Sequence, residues 1–129
     1  MKNRSIFMIA LATVAATALA GQAMAASPKA KSDCFYSRNI DGFQAVDRKT
    51  VNIRVGVDDV YQLKLLGASP DIDWTETIAV VARDGSFICN ALDATVVVPS
   101  NLGPQRYPVS SIRKLDPAEI ADLPKKQKP

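Results

Sequence analysis

Histidine is absent from all 129 residues. That excludes a Ser-His-Asp or Cys-His arrangement and a histidine zinc site. It also removes the usual acid–base side chain near neutral pH. No G-x-S-x-G, S-x-x-K, P-loop or G-x-G-x-x-G pattern occurs, so the common nucleophile elbows and phosphate cradles are missing too. Cysteine is scarce, with two residues, and no C-x-x-C pair exists to suggest a redox motif. Aromatics make up only 6% of the chain, and tryptophan occurs once.

One long apolar run is present, and it lies at the start. "MKNRSIFMIALATVAATALAGQAMA" reads as a secretory signal peptide over residues 1–25. Lys2 and Arg4 form its charged region, Ile6 to Ala20 its apolar region, and Ala23-Met24-Ala25 a small-residue cleavage site. A membrane anchor is the alternative. The run falls short of the ~20 apolar residues a spanning helix needs, and no basic stop-transfer cluster follows. The sequence therefore predicts cleavage near Ala25, a periplasmic or secreted location, and no membrane span afterwards.

Removing 25 of 129 residues leaves 104, enough for one small domain. Lys2 and Arg4 leave with the signal, so 14 of the 16 basic residues remain against 13 acidic ones. That near-neutral balance gives no argument for nucleic acid. Residues 26–33 read as a flexible lead-in, 34–123 as a single β domain, and 124–129 ("PKKQKP") as a disordered basic tail.

Both cysteines, Cys34 and Cys89, outlast cleavage, and an even count in an exported chain argues for a structural disulfide. A metal site would need more ligands than this chain offers. No cofactor is implied.

From Cys34 onward the signals are mostly β. "TVNIRV" puts Val51, Ile53 and Val55 on one face and Thr50, Asn52 and Arg54 on a wet one. "YQLKL" puts Tyr61, Leu63 and Leu65 inward. "IAVVARDGSFICN" reads as a hairpin turned at Asp84-Gly85, with runs apolar enough for the middle of a sheet. "ATVVVP" is a further strand. "YPVSSIRKL" is the last, with Pro108 placing its start at an edge or bulge. A short helix follows: Asp116 caps it, Pro117 opens it, Glu119 completes a capping box, and Leu115 with Ile120 forms a staple. The fold class is all-β, a small barrel or sandwich of five to six mainly antiparallel strands with a short C-terminal helix.

Candidate functional residues are few. Asp71 and Asp73 in "PDIDW" could serve as acid and base, or hold a hard cation. The plainer reading is a turn after Pro70 with Trp74 packed on the core. Arg106 in "GPQRYP" could meet an anion, or simply sit solvated in a loop. Tyr36, Phe43, Trp74 and Tyr107 could line a groove, or form the core. The stretch "SDCFYSRNIDGF" reads as an anchor for the fold. Cys34 ties the strand down, Phe35 or Tyr36 faces inward, and Arg38 can pair with Asp41. Arg38 is the exposed candidate for contact there.

"CFYSRNIDGF", "TVNIRVGVDDVYQLKL", "PDIDW", "ICNALDA", "GPQRYPVSSIRKL" and "DPAEI", in that order, resemble a family of small exported bacterial proteins, domain-of-unknown-function family 6491. The resemblance runs from Cys34 to about Leu123. It implies an exported single-domain protein with no assigned activity and no catalytic residues to carry over. Members look to have further cysteines at the positions of Ser69 and Tyr107. Loss of both together here implies that those two bond each other, which leaves Cys34–Cys89 as the remaining bridge. The reading is a non-catalytic, disulfide-stapled module that binds an envelope protein or a small ligand. An inhibitor of a secreted enzyme is one version. The alternative is an unusual hydrolase using Asp71 and Asp73.

Overall fold

The computed structural model describes residues 34–129. The stretches read from the sequence as a signal peptide (1–25) and a lead-in (26–33) lie outside the described residues. Eight strands form: β1 (Phe35–Tyr36), β2 (Ile40–Asp47), β3 (Thr50–Val55), β4 (Asp59–Leu65), β5 (Ala79–Ala82), β6 (Phe87–Ile88), β7 (Ala94–Val98) and β8 (Gln105–Lys114). One helix, α1 (Pro117–Asp122), follows. Six strands make one curled sheet in the order β2-β3-β4-β8-β7-β5, and β1 with β6 makes a separate two-stranded ribbon. Every pairing is antiparallel.

The core follows from period-two alternation. Val51, Ile53, Val55, Tyr61, Leu63 and Leu65 are all buried on the inner face, joined by Val96, Val98 and Val109 from the other half. β8 couples the halves. Its first part pairs with β7, from Val98↔Gln105 to Thr95↔Pro108, and its second with β4, from Leu65↔Val109 to Tyr61↔Lys114. At the changeover the register slips by one residue, and the Ser110 hydroxyl donates to the Lys64 carbonyl (3.1 Å). Proline, which has no N–H, fits a place where one partner is handed to the next. The bulge bends the strand and helps the sheet curl.

Two strand expectations need correcting. "IAVVARDGSFICN" is not a hairpin: β5 pairs with β7 and β6 with β1. Gly85 does turn the chain, with φ 95°, but the turn carries it from one sheet to the other. β5 is consequently an edge strand and not a central one. Of its apolar residues, Ala82 and Val80 serve the core, while Ala79 and Val81 are exposed.

The outer face of β3 is also not wet. Asn52 is fully buried, Thr50 nearly so and Arg54 partly, and the C-terminal end lies over Asn52. α1 has the expected capping box: the Glu119 N–H donates to the Asp116 carboxylate (2.9 Å) and the Asp116 N–H to the Glu119 carboxylate (3.0 Å). Beyond it, residues 124–129 do not hang free as their composition suggested. Lys125–Gln127 form a tight turn. Asn52 Nδ2 donates to the Gln127 carbonyl (2.9 Å), and Gln62 Nε2 donates to Asn52 Oδ1 (3.1 Å). A buried amide satisfied on both sides is a stable arrangement, and the tail supplies half of it.

Candidate functional site

The strand registers sort the loops into two ends. β5 starts opposite Val97 and finishes opposite Ala94. The segment before β5 and the loop after β7 therefore share one end. The turn after β5, and the ribbon it leads to, lie at the other.

At the ribbon end Cys34 and Cys89 are bonded, with Cα atoms 4.2 Å apart. The ribbon register, Phe35↔Ile88 and Tyr36↔Phe87, makes this bridge the next rung of the same ladder. Ser37 N–H closes the other side by donating to the Ser86 carbonyl (2.8 Å). Alternation then sends Phe35 and Ile88 into the core and leaves Tyr36 and Phe87 outside, 42% and 45% exposed. Their rings meet at 4.8 Å, and the Arg38 guanidinium lies over the Tyr36 ring at 4.9 Å. Arg38 does not pair with Asp41; the ion pairs among the described residues are Arg48–Asp73, Arg113–Glu119 and Lys114–Asp59. A guanidinium stacks readily on an aromatic face, and Tyr36 offers one. Phe87 does not stand out in the sequence, although the signal is present. A Cys34–Cys89 bridge read as an antiparallel rung sets Tyr36 opposite Phe87 directly.

At the opposite end, "PDIDW" does form a turn: the Trp74 and Thr75 N–H groups both donate to the Asp71 carbonyl (3.1 Å each). The residue anchored in the core is Ile72, which is fully buried; Trp74 is 83% exposed, contrary to the expected core packing. A turn that drives Ile72 inward points the indole two places on outward. Asp71 and Trp74 share a hollow of about 350 Å3 with Thr75, Pro99, Ser100 and Asn101. Asp73 lines a different hollow, beside Phe43 and Gln44, and meets Arg48 at 3.9 Å. The two aspartates therefore do not converge on one reacting centre. Asn101 carries no signal in the sequence, and only the pairing of β5 with β7 brings it to Trp74.

Arg106 sits within β8 opposite Val97, exposed on the outer face, and not in a loop. Phe43 and Tyr107 pack against the core. Among the described residues no group of three or more Cys, Asp or Glu side chains is placed to hold a metal ion. No described helix is long and apolar enough to cross a membrane. The Glu119 carboxyl is held below its ordinary value by the Asp116 backbone N–H and then by Arg113.

The model of a Family of unknown function (DUF6491) matches residues 1–129, the whole chain. The chain belongs to this family. No curated protein and no solved structure matches it. Membership in DUF6491 carries no activity with it, so what this DUF6491 domain can do has to be argued from its own side chains. Ser69, where the resemblance implied a cysteine in other members, is fully buried with its hydroxyl unpartnered among the described residues. A thiol suits a buried position without a hydrogen-bond partner better than a hydroxyl does.

Proposed function

We propose that this DUF6491 protein is exported and serves outside the cytoplasm as a non-catalytic binding module, with the ribbon end as the surface that takes a partner protein. The observation that carries the reading is the half-exposed Tyr36–Phe87 pair, its rings in tilted contact and the Arg38 guanidinium laid over Tyr36, set on a ribbon pinned by Cys34–Cys89. Aromatic residues and arginine dominate interface hot spots. Rings that are already ordered lose little freedom on binding, which favours affinity. The disulfide supports export, since such bonds persist in oxidising compartments. The hydrolase alternative loses its main support, because Asp71 and Asp73 face different hollows.

The test is an intact and native mass spectrum of the protein expressed from its full sequence and recovered from the envelope fraction. Expected are loss of the leader near Ala25, two missing hydrogens, and a complex with a protein partner that Tyr36→Ser and Phe87→Ser together abolish. An uncleaved chain overturns the export reading. A complex that survives both substitutions overturns the ribbon as the surface.

A further inference from the structure

The hollow at the loop end combines an exposed indole with polar side chains that nothing in the protein uses. Trp74 is 83% exposed, which is unusual for the largest apolar side chain when buried positions lie two residues away. Around it, the Thr75 hydroxyl is engaged with Thr77 and the Ser100 hydroxyl with Gly103 and Leu102, so both are fixed parts of the wall. The Asp71 carboxylate, the Asn101 amide and the Trp74 ring have no such partner among the described residues. They come from two loops held by separate means. Ile72 roots the first in the core. The Ser100–Gly103 contact, with Gly103 at φ 99°, closes the second.

Their chemistry selects a ligand class. An anion is disfavoured: the hollow has a carboxylate and no Lys or Arg in its wall. A metal ion is disfavoured, because Asp71 is the only carboxylate there. A wholly apolar ligand would strand Asp71 and Asn101 without partners, which is costly. An organic cation could use the indole face and Asp71, but it accepts no hydrogen bonds and would leave the Asn101 NH2 unused. A sugar ring uses everything present. Its C–H face lies on the indole, and each hydroxyl both donates and accepts. Adjacent hydroxyls can therefore donate to the two Asp71 oxygens and accept from the Asn101 amide.

The geometry points to a carbohydrate-binding site in which Trp74 carries a neutral sugar ring and Asp71 and Asn101 hold its hydroxyls. This site is separate from the ribbon end and stands without it.

Trp74 is the only tryptophan in the chain, so intrinsic fluorescence reads this site and no other. The full protein is titrated with cello-oligosaccharides, chito-oligosaccharides and tetramethylammonium. The expected result is a saturable change in emission with an oligosaccharide, weakened about tenfold or more in Asp71→Ala and in Asn101→Ala. Both variants should keep the parent melting profile, and Tyr36→Ser should bind as the parent does. The proposal is overturned by no saturable change with either oligosaccharide up to about 10 mM, a concentration that detects even weak binding. It is also overturned by a response to tetramethylammonium alone, which makes the hollow a cation site, or by sugar binding that neither Asp71→Ala nor Asn101→Ala weakens.

Discussion

The two ends of this domain solve the same problem by different means. Each has to hold exposed aromatic side chains on a short piece of chain. The ribbon end does it covalently: two residues per strand are too few to stand alone, and the Cys34–Cys89 bridge supplies what their hydrogen bonds cannot. The loop end uses one buried side chain, Ile72, and a few turn hydrogen bonds. The first adds the bridge to the buried Phe35 and Ile88 beneath it, while the second has no covalent tie and depends on packing and turn hydrogen bonds. A small domain with a limited core thus keeps a covalent device for one end and a packing device for the other.

Replacing both cysteines by serine should have the largest effect. For a bridge spanning 55 positions the chain-entropy model gives about 4 kcal/mol, read as a lower denaturant midpoint. At conditions where the variant remains folded, Trp74 emission should be unchanged, since the loop end is held separately. Equal disturbance at both ends would erase the contrast. Ile72→Ala is the converse experiment. Deleting so buried a side chain should cost about 2–4 kcal/mol and shift Trp74 emission, with Tyr36 and Phe87 unaffected by NMR.

Truncation after Pro124 sharpens the comparison from a third place. It should expose Asn52 and remove the Gln127 carbonyl that Asn52 uses, for a loss of about 1–2 kcal/mol in thermal or chemical unfolding. The smallest effect belongs to Glu119→Gln. Glu119 titrates below its ordinary value of 4.5 in the folded state. Its contribution to stability is therefore complete above that value, and it is lost as pH falls through the lowered folded value. Parent and variant should differ slightly at neutral pH and converge in strong acid, checked by melting curves across that range.

Much of the fold is legible in the sequence because period two is a strong signal. The faces of β3 and β4, the bulge near Pro108, and the capping box at Asp116–Glu119 all follow from local pattern, apart from the covering of β3's outer face. The hairpin signal at Asp84-Gly85 misleads because a turn pair says that the chain turns and not which strand it then joins. Covalent pairing with Cys34 draws Phe87–Ile88 away from β5. The dry outer face of β3 is not legible either. Alternation cannot show that a polar row will be covered by a segment 75 residues further on, as Asn52 is by Gln127. At the loop end the stretch "PDIDW" is the right one, but Trp74 has the opposite orientation to that expected. Ile72, two positions earlier, competes for the same core place and fits it without an N–H to satisfy.

The exchange of partners along β8 has a consequence for assembly. Before Gln105 exists, the strips β2-β3-β4 and β5-β7 have no ladder between them. A chain that emerges N-terminus first has both cysteines free to meet once residue 89 is out, well before the strand that joins the halves. The bridge would then act as a placeholder, keeping two unfinished strips near each other until β8 arrives to zip between them. Late, long-range pairing of this kind is slow. The hazard for a nascent molecule is concentrated in that interval, when the edges of β4 and β7 stand open to any other strand.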